Sequence, residues 1–310
     1  MNIQWYPGHM TKAKRAMEES IKLIDLIIEL VDARAPLSSR NPDIDELGKG
    51  KARLVLLNKS DLANEQANER WIAYFSEQGM QTVKLNCRSG AGLKQINGAV
   101  QEACREKLER DRRRGIKNRP IRAMVVGIPN VGKSTFINAF AGKACAKTGN
   151  KPGVTKGNQW IRLNKTLELL DTPGILWPKF EDQEAGKKLA YIGSINDDIL
   201  NKEELALELI AFLLSVCPQV FAERYAVSVQ ENDGAVKPQT EASVQENNGA
   251  VKPEAAVSVL EQIARARGCL VKGGGYDLGK AANLLFDDFR SGRLGRITLE
   301  LPQEQTGENG

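Results

Sequence analysis

The chain has 310 residues, 41% of them hydrophobic, and a formal net charge of +5. That length exceeds one ordinary domain, so two are expected, with ample apolar material for a core. No apolar run approaches the roughly 20 residues that span a bilayer, so no membrane span is expected.

The first ten residues hold Pro7, Gly8 and His9 where a secretory leader would have an apolar core. Glu18 and Glu19 interrupt the basic stretch that follows, which argues against a transit peptide. The five cysteines are scattered and His9 is the single histidine, so no zinc site can be assembled locally and a reducing, cytoplasmic setting is expected.

Residues 24–31 and 53–57 are short, nearly continuous apolar runs, the pattern of parallel strands covered on both faces. Residues 81–86 read as a third strand. A helix is predicted from about 92 to 110, running into a basic connector at about 101–120; over 101–122, nine Lys or Arg stand against four Asp or Glu. That stretch is either a solvated linker helix or a contact with RNA. After Pro120, Ile121–Gly127 begins a second α/β unit, with further strands expected at 158–163 and 167–171. The alternation predicts an α/β fold with a doubly wound, mainly parallel sheet.

Beyond about residue 180 the periodicity becomes helical, at 202–217, 254–267 and 278–290. In the last of these Leu278, Ala281, Leu285 and Phe289 keep one face, widened by Leu284 and Phe286. The expected division is an α/β domain over 1–178, a small α-helical domain over 179–300, and a tail over 301–310. SVQENDGAVKP at 228–238 recurs as SVQENNGAVKP at 243–253. Two copies are too few for a solenoid, so 228–253 reads as a duplicated, flexible insertion.

The strongest chemical signal is Gly127-Ile-Pro-Asn-Val-Gly-Lys-Ser-Thr135, which matches GxxxxGK[ST] between a predicted strand and a predicted helix. Its glycines allow a tight turn whose amides point at phosphate oxygens, and the following helix adds its dipole. Asn130, Val131, Gly132, Lys133, Ser134 and Thr135 are the expected phosphate-side residues. Lys133 is assigned to the β- and γ-phosphates, and the Ser134 hydroxyl to Mg²⁺.

Asn58-Lys-Ser-Asp61 ends the strand at 53–57 and selects the base. The Asp61 carboxylate can accept two hydrogen bonds from guanine that adenine cannot offer. The Lys59 stem can lie along the ring, and Asn58 can tie this loop to the phosphate loop. Asn86, Cys87 and Arg88, after the third strand, back up base recognition. Asp171-Thr-Pro-Gly174 ends the strand at 167–171: Asp171 is assigned to the outer shell of Mg²⁺, and the Gly174 amide to the γ-phosphate. Thr155 is the expected switch threonine, joining the metal when GTP is bound.

These motifs run in an unusual order. The base-reading loop precedes the phosphate loop, which precedes Thr155 and Asp171, a circular permutation of the order in ordinary GTP-hydrolysing proteins. The segment that responds to the γ-phosphate then leads through Ile175–Phe180 toward the helical domain, so nucleotide state can be coupled to it.

Taken with Trp5-Tyr-Pro-Gly-His-Met10, Asp32-Ala-Arg-Ala-Pro36, Asp171–Pro178 and Phe289–Gly295, this order resembles the ribosome biogenesis GTPase A family over nearly the whole chain. The resemblance implies a cytoplasmic, circularly permuted P-loop GTPase that uses GTP and Mg²⁺ and assists late maturation of the large ribosomal subunit. It also implies an RNA-contacting helical domain and slow hydrolysis stimulated by ribosomal particles. A monomer without a membrane partner is expected.

Ile175 stands where many GTPases place a water-orienting glutamine, so another group must serve. His9 is the candidate, either catalytic or only an anchor for the N-terminal segment. Asn130 either helps bind K⁺ or simply favours the turn. Candidate RNA contacts are Lys12, Lys14 and Arg15, beside Trp5 and Tyr6, and Lys280, Arg290, Arg293 and Arg296. Two other functions remain open, a nucleotide-gated RNA-binding scaffold and a permuted GTPase of the small subunit.

Overall fold

The computed structural model describes residues 17–116, 119–143, 145, 159–172, 183–195, 201–227 and 252–303. The N-terminal motif with His9, Thr155, Gly174, Ile175 and all but the end of the duplicated segment fall outside the described residues, as does the expected boundary at 178.

The chain forms two compact units, Met1–Leu189 and Ala190–Gly310. The first is built on six strands: β1 (Leu26–Asp32), β2 (Ala52–Asn58), β3 (Gln81–Leu85), β4 (Ile121–Val126), β5 (Gln159–Arg162) and β6 (Leu167–Asp171). Among the described residues its helices are α1 (Asp43–Leu47), α2 (Glu65–Glu77), α3 (Leu93–Ala103), α4 (Arg105–Arg113), α5 (Lys133–Ala141) and α6 (Gln183–Tyr191), the last crossing into the second unit.

The sheet order is β3-β2-β1-β4-β6-β5. Every pairing is parallel except β5 with β6, which is antiparallel. All seven residues of β1 are buried, as its apolar run requires for a strand covered on both faces. The chain runs outward from β1 to β3 and then returns to place β4 on the other side of β1. That reversal makes a crevice at the carboxyl ends of β1 and β4, where ligands of open α/β sheets bind.

Register fixes which residues meet there. The β1–β2 ladder sets Asp32 opposite Asn58, β2–β3 sets Asn58 opposite Leu85, and β4–β6 sets Val125 opposite Asp171. Below the crevice, Trp71 and Phe75 of α2 pack with Val31, Val55 and Leu57 in one apolar cluster.

The helix predicted over 92–110 is two helices, α3 and α4, meeting at Cys104. The apolar stripe that seats α3 through Ile96 and Val100 runs out at buried Cys104, and α4 has no buried residue of its own to continue it.

In the second unit α7 (Lys202–Val216), α8 (Gln219–Tyr225), α9 (Pro253–Ala266) and α10 (Leu278–Ser291) follow. α7, α9 and α10 pack on one another, with Leu209, Leu213, Val259, Ile263, Leu285 and Phe289 among their buried residues. Asn201 and Asp277 cap α7 and α10 by accepting from the amides of Glu204 and Lys280. Among the described residues no single helix is long and apolar enough to cross a membrane.

Candidate functional site

The phosphate loop is shaped by backbone that side chains resist. Gly127 has φ 152°, Gly132 has φ 106°, and Asn130 adopts the left-handed region at φ 58°. A Cβ on Gly127 would lie 2.6 Å from the Leu30 carbonyl of β1, and one on Gly132 would lie 2.5 Å from Asn58 Nδ2. Glycine is therefore demanded at both places, by the close approach of β1 in one case and of Asn58 at the end of β2 in the other.

Asn58 joins the loops. Its Nδ2 donates to the Val131 carbonyl at 2.7 Å, and its Oδ1 accepts from the Cys87 amide at 3.3 Å. One buried amide thus ties together the segment after β2, the segment after β3 and the phosphate loop, 29 and 73 residues away in sequence. Asn86 turns its own loop by accepting from the amides of Arg88 and Ser89, and Ser60 donates to the Leu85 carbonyl at 3.1 Å. Asp61 lies exposed in the 3₁₀ turn Ser60–Leu62.

Lys59 is held in the left-handed region at φ 59°. Its Nζ donates to Asp32 Oδ2 at 2.8 Å, and the same fully buried carboxylate takes Nε and Nη2 of Arg34, each at 2.8 Å. Burial pushes the Asp32 carboxyl up, but the two cations outweigh it and hold it well below the usual range. Burial lowers the Lys59 ammonium, with Asp32 opposing. Sequence reasoning singled out Asp32 and Arg34 only as part of a motif. The signal available was register: Asp32 ends β1 as Asn58 ends β2, which brings Lys59 beside it.

At the other side of the crevice Lys133 is buried and donates from Nζ to the carbonyls of Gly127 (2.9 Å) and Ile128 (3.0 Å). Burial lowers its ammonium to about 8, against the pull of Asp171. Burial raises the Asp171 carboxyl to about 6, opposed by Lys133 and by a backbone hydrogen bond from Thr172. Asp171 Oδ1 is buried with no hydrogen-bond partner among the described residues. A buried carboxylate oxygen in that condition suits a divalent cation or a water held by one. Thr172 is pinned to the Val125 carbonyl at 2.7 Å, which fixes the start of the segment beyond β6.

Loops from the ends of β2, β3 and β4 are thus bonded together at one crevice, with the end of β6 beside β4. Ribosome biogenesis GTPase A of Bacillus cereus is 46% identical over 304 residues, covering 98% of this chain and 95% of that protein. This chain belongs to the ribosome biogenesis GTPase A family. The Priestia megaterium member is also 46% identical, with 98% of each chain covered. The crystal structure of GNP-bound YlqF from T. maritima superposes with a TM-score of 0.63 at 26% identity, over 94% of this chain and 99% of that one. A family model described as a 50S ribosome-binding GTPase matches residues 122–241. The permuted P-loop GTPase fold is therefore the one expected from the sequence, and GTP hydrolysis goes with the family.

Of the residues expected to touch RNA, Lys280 and Arg296 are exposed. Arg290 is not a free surface cation: within the second unit it donates to the carbonyls of Ala190 (2.7 Å) and Tyr191 (3.0 Å) and lies over the Phe286 ring. Arg293 is bonded to Asp288. His9, Lys12, Lys14 and Arg15 lie outside the described residues.

Proposed function

We propose that this protein binds the maturing large ribosomal subunit and couples GTP hydrolysis to a late assembly step and to its own release. The observation that carries the reading is the Asn58 amide, which makes a base-reading loop and a phosphate loop into one site although they stand in permuted order. The description of the matching family model as a 50S ribosome-binding GTPase supports the large subunit as partner. The scattered, unpaired thiols suit a reducing, cytoplasmic setting, and the protein is read as acting as a monomer.

In this reading Asp61 accepts from the guanine edge, Lys59 lies against the ring, and Asn86, Cys87 and Arg88 close the base side. Amides of Asn130, Val131, Gly132, Ser134 and Thr135 face the phosphates, with Lys133 supplying charge and the Gly174 amide meeting the γ-phosphate. The Ser134 and Thr155 hydroxyls and the Asp171 carboxylate, with its unsatisfied oxygen, fit Mg²⁺. When bound, Mg²⁺ would supply positive charge against the phosphates. Asn130 either would help hold K⁺, which would add positive charge there, or serves only the left-handed turn it occupies. His9 orients or deprotonates the attacking water, because Ile175 cannot. Turnover is slow alone and is stimulated by the particle.

Sedimentation with purified ribosomal subunits tests the partner. The protein loaded with a non-hydrolysable GTP analogue is expected to pellet with large subunits and to stay in solution when loaded with GDP. Pelleting with small subunits alone would overturn the reading. If His9→Ala abolishes hydrolysis while large-subunit assembly proceeds normally in cells, the protein acts as a nucleotide-gated scaffold.

A further inference from the structure

Lys59 stands at the end of β2 in a backbone conformation that side chains resist, at φ 59°. A residue stays in that region only where its surroundings over-determine it. Both neighbours do so here. Asn58 is bonded to two other loops, and Ser60 donates its hydroxyl to the Leu85 carbonyl. The side chain is fixed as well. Its Nζ donates to Asp32 Oδ2 at 2.8 Å, so the four-carbon stem is held at both ends.

Asp32 is built to receive it. Its own amide donates to Ser39 Oγ at 2.9 Å, and the residue is fully buried. Arg34, 1% exposed, donates Nε to Oδ1 and Nη2 to Oδ2, each at 2.8 Å, and its amide donates to Oδ1 at 3.1 Å. That two-pronged grip sets the plane of the carboxylate. The Arg34–Asp32 pair is already neutral, so a third charge is not needed to bury this acid. Lys59 is 26% exposed, and in water its ammonium would be well hydrated and its stem free to change rotamer. It reaches instead from the end of β2 to the end of β1, and gives up that freedom before any ligand is present.

We propose that Asp32, oriented by Arg34, is a positioning residue for the nucleotide base: by anchoring Lys59 Nζ it holds the lysine stem as a ready-made wall for the guanine ring. The inference rests on the reading above that the Lys59 stem lies against that ring, and it adds what sets the stem there. A wall fixed in advance spares the cost of ordering a long side chain on binding. Because the wall meets the base and not the γ-phosphate, its contribution is the same for GTP and GDP.

The test is a double-mutant cycle on the full-length protein, with Asp32→Asn, Lys59→Met and the two together, read by titration with fluorescent GDP and a fluorescent non-hydrolysable GTP analogue. Each single variant is expected to bind both nucleotides about tenfold more weakly, by the same factor, and the double variant no more weakly than either single. If Asp32 only supports the fold, the two losses multiply, to about 100-fold in the double variant. Should Asp32→Asn unfold by circular dichroism, Asp32→Asn with Arg34→Met asks the same question, with and without Lys59→Met. It removes the carboxylate together with the guanidinium that would be stranded, an exchange that folds tolerate better.

Losses that multiply, or a loss confined to the triphosphate, would overturn the proposal. Wild-type affinity in Asp32→Asn beside weakened binding in Lys59→Met would overturn the anchor alone and leave the reading of the base side standing. Wild-type affinity in Lys59→Met would overturn the reading of Lys59 against the ring, and the anchor with it.

Discussion

Two buried polar groups, Asn58 and Asp32, hold the loops at the ends of β1 and β2 at the level of single residues. Asn58 spends both ends of its amide on other loops, so a methyl group on Gly132, 2.5 Å from its nitrogen, breaks the tie. Gly132→Ala is expected to weaken GTP and GDP binding together by about tenfold or more, read by fluorescent-nucleotide titration; equal affinity would show that the contact does not organise the loop. Asp61→Asn removes one acceptor for the guanine edge and is expected to weaken GTP about 10- to 100-fold while improving xanthosine triphosphate binding. Unaltered GTP affinity would remove Asp61 from the base site. Asp32 is held below the usual carboxylate range in the folded chain, so its stabilisation is complete above the unfolded value near pH 4 and is lost as pH falls below that. Asp32→Asn leaves buried Arg34 and half-buried Lys59 without their counter-ion and is expected to cost about 3–5 kcal/mol in urea denaturation at pH 7. The variant's stability should also fall less steeply than wild type between pH 5 and about 3. The Asn58 tie was expected from the sequence, but the pairing of Asp32 with Arg34 and Lys59 was not legible there, because a charged residue at the end of an apolar run looks like the first residue of a solvated loop until register shows what stands beside it.

At the scale of elements, apolar runs were a good guide. The strands predicted at 24–31, 53–57, 81–86, 158–163 and 167–171 all appear, shifted by at most two residues at an end. The direction of β5 was not legible, since alternation reports faces and says nothing of whether a strand runs with or against its neighbour. α1 and α8 have only five and seven residues, too few for a helical period to show. α2 is the element that supports the end of β2: Trp71 is fully buried, with Phe75 stacked on it at 5.7 Å and Tyr74 edge-on at 5.2 Å, against the ends of β1 and β2. Trp71→Ala is expected to lower unfolding stability by about 3–5 kcal/mol. A loss under about 1 kcal/mol would mean that the ends of β1 and β2 are supported from elsewhere.

At the scale of the whole molecule, the permuted order is a statement about the chain and leaves the sheet intact. Parallel strands need neighbours in space, and β1 lies between β2 and β4 wherever the polypeptide begins. The motifs were therefore readable one by one, each at the end of a strand, and their convergence followed from the fold class. The ion pair of Arg224 with Asp288 was not readable, because the two stand 64 residues apart and meet only when α8 and α10 come together. The permutation also places Asp171 and Thr172 immediately before the segment that leads out of the first unit, which is why the nucleotide state is proposed to govern binding to a particle. GTP turnover in K⁺ buffer, measured alone and with purified large or small subunits, tests that claim most directly. The account predicts slow turnover alone and clear stimulation by large subunits only. Stimulation by small subunits alone, or equal rates in all three conditions, would contradict it.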